Sequence, residues 1–190
     1  MLYRLTYFST LSHFFQIDKM IIRMTKRELT KKLLACGIIY EGKVVLRSGK
    51  RADFYIDLKK TYGDPKLLAA LVMEMSKLIP KKATCIATIG QGGIPLAVLL
   101  SQKLNLKLVL VRDKPRKHGT QKAIDGHIPS PNDRVVIVDD VFTTGSSVRD
   151  VIKRLKPTKC KIISAIVAVK RGEGKINLPL FHLFALKDLV

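Results

Sequence analysis

The chain has 190 residues and a formal net charge of +20 at pH 7, with 47% hydrophobic and 26% charged residues. This apolar fraction can form a buried core, so the composition excludes an intrinsically disordered chain, and the length predicts one globular domain. Cys36, Cys85 and Cys160 show no CxxC spacing. We therefore expect a reduced, cytoplasmic protein without a zinc ribbon or a disulfide framework. No apolar run approaches the ~20 residues of a membrane span.

The net charge leaves three kinds of anionic partner open, namely nucleic acid, a membrane surface and small anionic molecules. The basic residues are spread along the whole chain and do not form one block. A solvated surface that binds nothing is therefore the alternative interpretation.

Residues 1–24 contain five aromatic residues without a helical or alternating period. They lack the apolar centre and the small-residue cleavage site of a signal peptide. We expect an N-terminal extension here, followed by a single domain over residues 25–190. The alternative is a segment that packs Phe14 and Phe15 onto the domain.

The first elements of the domain have clear start signals. Thr25 and Glu28 form the T-x-x-E capping box of a helix that Gly37 closes. Short strands are predicted over 43–46 and 54–56, around a turn at 48–50. Asp64-Pro65 then predicts a helix start, and its apolar face runs to Ile79 before Pro80.

From residue 85 onwards, apolar strands alternate with helices. The predicted strands are 85–89, 106–111, 134–138 and 160–169, and the predicted helices are 94–103 and 146–155. Residues 90–93 are predicted as a glycine-rich loop, and residues 112–127 as a long basic loop. Near-continuous apolar strands that alternate with helices predict an α/β fold, with a mainly parallel sheet covered on both faces.

The most informative segment is Val135–Ser147. A buried strand ends in Asp139 and Asp140, and a hydroxyl-rich turn then opens a helix. Ligands of open α/β sheets bind at the carboxyl ends of the strands, and a helix N-terminus suits a phosphate. Carboxylates accept hydrogen bonds from sugar hydroxyls. The segment therefore predicts a ribose-phosphate site, with an Asp-pair metal site or a plain helix cap as alternatives.

This strand, acid pair and turn resemble the fingerprint of the type I phosphoribosyltransferases, and further segments resemble the orotate phosphoribosyltransferases of that family. These segments are Leu46–Gly49, Asp53–Asp57, Gly92–Ala97, Val111-Arg112, Lys117–Gly119, Asp125-Gly126 and Leu186–Leu189. The resemblance covers about residues 25–190. It implies the type I phosphoribosyltransferase fold, with a small N-terminal hood over the base and a mobile basic loop.

The resemblance implies transfer of 5-phosphoribosyl from 5-phosphoribosyl 1-pyrophosphate (PRPP) to orotate, giving orotidine 5′-monophosphate and pyrophosphate in pyrimidine synthesis. It implies Mg²⁺ bound through PRPP, without a direct protein ligand that we can name. It also implies a homodimer in which loop 112–126 serves the neighbouring site. The catalytic residues would be Asp139, Asp140, Arg116, Lys117 and His118.

The remaining site residues are assigned by their position in the resemblance. The PRPP-binding residues would be Arg112, Lys114, Arg116, His118, Asp139, Asp140, Val141, Phe142, Thr143, Thr144, Gly145, Ser146, Ser147 and Gly92. The orotate-binding residues would be Thr143, Arg171, Arg47, Tyr55 and Ile56. A guanidinium suits the orotate carboxylate.

Three positions depart from the family pattern. Asp113 and Arg116 stand where the family commonly has lysines, and Gly92 stands where some members have a lysine. Two alternatives therefore remain open at the level of the sequence. One is a phosphoribosyltransferase that uses another base, and the other is a nucleic-acid-binding regulator of this fold, which the charge of +20 favours.

Overall fold

The computed structural model describes residues 24–45, 51–113 and 123–190. Several predictions from the sequence lie outside these residues. They concern the aromatic segment before Met24, Arg47, the turn at 48–50 and the four loop residues Lys114, Arg116, Lys117 and His118.

The first helix of the described residues is α1, Lys26–Ala35, and its predicted capping box is confirmed. The Thr25 hydroxyl accepts a hydrogen bond from the Glu28 N–H at 3.2 Å, and the Glu28 carboxylate accepts one from the Thr25 N–H at 2.7 Å. Strands β1, Ile39–Val45, and β2, Arg51–Ile56, pair antiparallel in a small separate sheet. These two strands lie where the hood is predicted, and we call them the hood below, although β1 begins four residues before the predicted strand.

Helix α2 covers Pro65–Ser76 and begins where the Asp-Pro signal predicted. The Asp64 carboxylate caps it by accepting from the N–H groups of Lys66 and Leu67, at 2.9 and 3.1 Å. The predicted continuation to Ile79 was wrong. The N–H groups of residues 77–79 bind carbonyls three residues back, so the chain tightens into turns after Ser76.

The main sheet has six strands in the order β5-β4-β3-β6-β7-β8. All neighbours pair parallel except β5, which is antiparallel to β4, so the predicted mainly parallel sheet is confirmed. The strands are β3 (Cys85–Ile89), β4 (Lys107–Val111), β5 (Ile124–Gly126), β6 (Arg134–Phe142), β7 (Lys161–Lys170) and β8 (Leu180–Ala185).

Both faces of this sheet are buried, because successive side chains of a strand point to opposite faces. On β6, Val136 and Val138 pack into the core formed with α1, α2 and α3, which covers Gly90–Leu104. Val135 and Ile137 pack into the second core, formed with α4, which covers Ser146–Leu155. Helix α3 is the longest in the described part of the chain, and none there could cross a membrane.

Four parts of the main sheet and its helices differ from the prediction. The predicted loop 90–93 instead forms the first turn of α3, which follows β3 directly and begins at Gly90 with a φ of +79°. Strand β6 continues to Phe142, so Asp139 and Asp140 lie within it. The short β5 was predicted as part of the basic loop. The edge strand β8 was not predicted at all.

The buried carboxylate of Asp133 connects several segments at the opposite edge of the sheet, where the parallel strands begin. The Asp133 side chain is only 5% exposed and lies 3.2 Å from Lys107 Nζ and 2.9 Å from His127 Nε2. It also accepts hydrogen bonds from the N–H and hydroxyl of Ser130 and from the Thr84 hydroxyl, at 2.9–3.0 Å. Burial opposes ionisation, but the hydrogen bonds outweigh it and hold the pKa of Asp133 well below its usual range.

Substitution Asp133→Asn is expected to lower the free energy of unfolding at pH 7 by about 1–3 kcal/mol, because charge-assisted hydrogen bonds are lost. The folded pKa of Asp133 lies below its unfolded value. Its contribution is therefore complete above about pH 5 and decreases as the pH falls below about 4. Urea unfolding at pH 7 and pH 3 measures the free energy of unfolding of both proteins. The difference between variant and wild type should be smaller at pH 3.

The matched control is Asp64→Asn, since asparagine caps a helix about as well as aspartate. This control should leave the unfolding free energy nearly unchanged. An Asp133→Asn variant as stable as the wild type at pH 7 would contradict the structural role of the carboxylate.

Candidate active site

A cleft of about 290 Å³ lies at the carboxyl ends of β3 and β6. Its lining comes from the hood, both strand ends and the two helices that follow them. These residues are Tyr55, Lys59, Ile89, Gly90, Gln91, Gly92, Asp113, Asp139, Asp140, Val141, Ser147 and Asp150. A smaller depression adjoins the cleft at the turn Thr143–Ser147 and shares Asp139, Val141 and Ser147 with it. The location agrees with the binding edge predicted from the sequence.

Two helix N-termini without side-chain caps flank the cleft. Helix α3 follows Ile89 and helix α4 follows Gly145, and neither N-cap residue provides a side-chain acceptor for the first N–H groups. Helices α1 and α2, in contrast, are capped by Thr25 and Asp64. Uncapped N–H groups and the positive end of the helix dipole bind anions, so the cleft offers two places for phosphate groups.

The acid pair lies between these two helix starts. Asp139 is 7% exposed, and one of its carboxylate oxygens accepts the N–H of Asp140 at 2.9 Å. The Asp140 carboxylate accepts the N–H of Val141 at 2.8 Å. Burial and then the neighbouring Asp140 carboxylate raise the pKa of Asp139. Two adjacent carboxylates of this kind can accept hydrogen bonds from neighbouring hydroxyls of a sugar.

Glycines pack directly against the acid pair. A Cβ on Gly92 would overlap the Asp140 carboxylate. A Cβ on Gly93 would overlap the Thr88 hydroxyl and would lie 3.1 Å from the Asp139 carboxylate. The first turn of α3 can therefore approach β6 this closely only with glycine at both positions.

Tyr62 holds the same turn from the hood side. Its hydroxyl donates a hydrogen bond to the carbonyl of Gly92. Burial and then the charges of Asp140 and Asp139 raise the pKa of Tyr62 far above its usual value. The phenol therefore stays protonated and remains a donor.

The turn Thr143–Ser147 is shaped by glycines as well. Gly145 has a φ of +77° and begins α4, in a conformation that other residues rarely adopt. The N–H groups of Gly172 and Gly174 donate to the carbonyls of Phe142 and Thr143, both at 3.1 Å. A Cβ on Gly172 or Gly174 would overlap the backbone of the turn. The loop after β7 thus supports the turn from behind.

Arg149 completes this support. Its Nη1 donates to the carbonyl of Thr144 at 2.8 Å and to the carbonyl of Lys175 at 3.1 Å. The guanidinium therefore joins the turn before α4 to the loop after β7.

The structure brings ten of the predicted site residues to the cleft or its adjoining depression. These are Tyr55, Gly92, Asp139, Asp140, Val141, Phe142, Thr143, Gly145, Ser146 and Ser147. Arg171 lies beside the turn, because its N–H donates to the carbonyl of Phe142 at 2.9 Å. Arg112 forms an ion pair with Asp125 at 2.5 Å. Arg47, Lys114, Arg116, Lys117 and His118 lie outside the described residues, so their roles stay predictions.

Besides Arg112 and Arg171, two further predicted residues in the described part of the chain line neither the cleft nor the depression. Ile56 is 3% exposed and packs in the core with α1 and α2. Tyr55 and Ile56 are neighbours on a strand and point to opposite faces, so only Tyr55 lines the cleft. Thr144 lines neither cavity, and its carbonyl instead anchors Arg149.

The charge of the cleft was not foreseen. Asp113, Asp139, Asp140 and Asp150 line it, and Lys59 is the single lysine or arginine among its described lining residues. The Lys59 ammonium is paired with Asp57 at 2.5 Å. Burial lowers the pKa of Lys59, but the hydrogen bond to Asp57 outweighs this effect and raises it. Carboxylate oxygens are the ligands that Mg²⁺ prefers, so the residues present fit a divalent cation.

Sequence reasoning also missed Lys59, Tyr62, Arg149 and Asp150. Lys59 and Tyr62 belong to a 3-10 turn, Leu58–Gly63, that has no periodic pattern. Asp150 and Arg149 occupy the first turns of α4 and look like ordinary surface charges in the sequence.

A second group of possible metal ligands lies far from the cleft. Donor atoms of Cys85, His127 and Asp133 lie within 4.8 Å of one another. The Asp133 carboxylate is already surrounded by donors, and burial raises the pKa of Cys85 to about 11. A neutral thiol beside a saturated carboxylate is a poor cation site, so this group serves the packing of the sheet.

Residues 62–178 match the family described as "Phosphoribosyl transferase domain". The chain belongs to the phosphoribosyltransferase family. The matched range contains the acid pair, the glycine turn and both helix N-termini.

Known phosphoribosyltransferases resemble the chain along most of its length. The orotate phosphoribosyltransferase of Pyrococcus abyssi is 36% identical over 173 residues, covering 86% of this chain and 94% of that protein. The crystal structure of orotate phosphoribosyltransferase from Aeropyrum pernix has a TM-score of 0.69 at 29% identity, covering 85% of this chain and 95% of that one. Adenine phosphoribosyltransferase from Rhodothermus marinus, with a TM-score of 0.64 at 20% identity over 83% and 98% of the two chains, shares the fold.

Substitution Gly145→Ala is expected to weaken binding of inorganic phosphate at least tenfold. The added Cβ would lie 2.9 Å from Ile176 and 3.0 Å from Phe142, at a positive φ that disfavours alanine. The N–H groups that start α4 would then lose their alignment. Calorimetric titration with phosphate measures the effect.

The matched control is Gly63→Ala, because a Cβ at Gly63 meets nothing within 4 Å and its φ is not positive. Equal phosphate affinity for Gly145→Ala and wild type would show that this turn is not an anion site.

Proposed function

We propose that this phosphoribosyltransferase is an orotate phosphoribosyltransferase. It transfers the 5-phosphoribosyl group of PRPP to orotate and releases pyrophosphate and orotidine 5′-monophosphate, in the cytoplasmic synthesis of pyrimidines. The observation that carries the proposal is the acid pair Asp139-Asp140 between two uncapped helix N-termini. The 36% identity to an orotate phosphoribosyltransferase over almost its full length supports the choice of base.

The turn before α4 would bind the 5′-phosphate of PRPP. Its backbone N–H groups have no side-chain acceptor, and the hydroxyls of Thr143, Ser146 and Ser147 line the same depression. These donors supply charge-assisted hydrogen bonds to phosphate oxygens. The ribose would then extend from the depression into the cleft, past Asp139, which lines both cavities, to Asp140, which lines the cleft.

Asp139 and Asp140 would hold the ribose hydroxyls. The reaction displaces pyrophosphate from the anomeric carbon, and positive charge develops on the ribose ring as the bond to the pyrophosphate breaks. The Asp140 carboxylate is fixed by the Val141 N–H and faces the cleft, so it would stabilise this charge. Binding the hydroxyls also orients the anomeric carbon toward the base.

The first turn of α3 would receive the pyrophosphate. Gln91 and Gly92 line the cleft there, and the helix N-terminus is open to an anion. When bound with PRPP, Mg²⁺ supplies charge that neutralises the leaving pyrophosphate. The four carboxylates of the cleft would face that cation, with the pyrophosphate and the ribose hydroxyls as its main ligands.

The basic loop would close over the pyrophosphate and exclude water. This role rests on the resemblance for Arg112, Lys114, Arg116, Lys117 and His118. We propose a homodimer in which loop 112–126 of one subunit serves the site of the other. The acidic Asp113 lines the cleft where the family commonly has a lysine, so the remaining cations of the loop have to balance it.

The base would lie between the hood and the loop after β7. Tyr55 lines the cleft from the hood, and Arg171 is held beside the turn Thr143–Ser147 by its backbone hydrogen bond to Phe142. A guanidinium can bind a carboxylate through two parallel hydrogen bonds, and orotate carries a carboxylate that uracil and the purines lack. Arg47 is the second proposed partner of the base.

Turnover of orotate with PRPP and Mg²⁺, followed by the loss of orotate absorbance, tests the proposal. Substitution Asp140→Asn is expected to lower kcat by about 10²-fold, because it removes the charge that faces the developing cation. The control Glu74→Gln removes a carboxylate paired with Lys77 on the surface and should leave kcat unchanged. Turnover of hypoxanthine or uracil without turnover of orotate would reject the assignment.

Substitution Arg171→Ala is expected to raise the KM for orotate by about 10- to 100-fold, because a charge-assisted pair is lost. The KM for PRPP should change less than threefold. Lys175→Ala is the control, since only its backbone carbonyl contacts Arg149. Equal effects of Arg171→Ala on both KM values would contradict a role for this side chain in binding the base.

A further inference from the structure

The amino edge of the parallel sheet, opposite the cleft, carries a row of exposed basic residues. The four segments that lead into β3, β4, β6 and β7 are residues 79–84, 103–107, 127–134 and 156–161. We call their basic side chains the basic edge. They are Lys81, Lys82, Lys103, Lys107, Arg134, Lys156, Lys159 and Lys161, and each is exposed.

Backbone pairing places the strand starts side by side. The Lys107 N–H donates to the Thr84 carbonyl at 3.1 Å, and the Thr84 N–H donates to the Arg134 carbonyl at 2.9 Å. Arg134 and Lys161 are direct partners in the pairing of β6 with β7. Neighbouring strands lie about 4.8 Å apart, so the row from β4 to β7 extends for about 15 Å.

The charge of this row is not balanced by acidic side chains. Asp133 is the single carboxylate in the four segments, and it is buried and paired with Lys107 and His127. Of the eight cations, only Lys107 has a carboxylate within 4.0 Å among the residues that the structure describes. The cleft at the other edge is lined by four carboxylates, so the two edges of the sheet differ in charge.

We propose that the basic edge binds nucleic acid through its phosphate backbone, without reading the base sequence. A duplex carries one negative charge per ~1.7 Å of its axis, so a row of this length faces several phosphates. The four segments contain no Phe, Tyr or Trp on which a base could stack, and their one imidazole, that of His127, is paired with Asp133. Contacts would therefore be electrostatic and independent of sequence.

A membrane surface fits the same residues less well. Peripheral membrane binding combines basic residues with a continuous apolar face. Ile128 is the single large apolar side chain exposed in the four segments, so such a face is lacking there. The observations therefore favour a polyanion in solution over an anionic bilayer.

The two edges would act independently. Strand β6 leads from Arg134 at the basic edge to Phe142 at the turn before α4, and nine residues of strand span about 30 Å. Nucleic acid on the basic edge would leave the cleft open, so the enzyme would carry a second, non-catalytic binding activity.

The test is fluorescence anisotropy of labelled 20-nucleotide RNA, single-stranded and duplex, titrated with the full chain between 50 and 200 mM salt. Neutralising three to five phosphates of the single strand predicts a slope of log K against log salt of about −2 to −4. RNA of unrelated sequence should bind with the same affinity. Saturating PRPP should not displace it, because the cleft lies at the other edge.

The triple variant Lys82→Glu, Arg134→Glu, Lys161→Glu should bind RNA at least tenfold more weakly. The matched control is the triple variant Arg27→Glu, Lys31→Glu, Lys32→Glu, which changes the net charge by the same amount on the exposed face of α1. Its affinity for RNA should fall less than threefold. The corresponding glutamine variants repeat the comparison without charge reversal. Thermal unfolding of every variant shows that the fold is kept, independently of any turnover of orotate.

Three results would overturn the proposal. An equal loss of RNA affinity in both triple variants would show that binding depends on net charge alone. Displacement by PRPP would place the RNA at the cleft. Binding to vesicles of anionic lipid without binding to RNA would identify a membrane surface as the partner instead.

Discussion

The parallel pairing of β3 with β6 is the constraint on which the site depends. Parallel neighbours end at the same edge of the sheet, so the helices that follow them also begin there. In this chain both helix starts lack side-chain caps, whereas the two helices away from the cleft have them. The first N–H groups of α3 and α4 therefore receive no hydrogen bond acceptor from a capping side chain. An anionic substrate can provide that acceptor at both positions.

Close packing explains why this edge needs glycine. Gly92 and Gly93 allow the first turn of α3 to reach the acid pair, and Gly172 and Gly174 allow the loop after β7 to support the turn before α4. Each contact leaves no room for a Cβ. The acid pair itself is unfavourable without ligand, since burial and mutual repulsion raise the pKa of Asp139. Ribose hydroxyls and a bound cation would relieve this cost.

Local signals in the sequence identified a large part of this arrangement. The capping box at Thr25 and the Asp-Pro start of α2 each depend on interactions within a few residues, and each was predicted correctly. In the segment Val135–Ser147 the strand and the helix start at Ser146 were predicted, but the strand continues past its predicted end to Phe142. The sequence did not predict those elements whose position is determined by contacts with distant parts of the chain. The start of α3 at Gly90 and the pairing of β8 depend on neighbouring elements. Lys59 lies in the turn Leu58–Gly63 after β2 and lines the cleft, which no spacing in the sequence reveals.

The central claim is that the acid pair holds a ribose whose phosphate lies at the start of α4. A crystal structure of the protein with orotidine 5′-monophosphate tests it most directly. We predict the phosphate on the N–H groups of the turn Thr143–Ser147, the ribose hydroxyls on Asp139 and Asp140, and the base beside Tyr55. A nucleotide bound away from the acid pair, or with its phosphate on another element, would contradict the account.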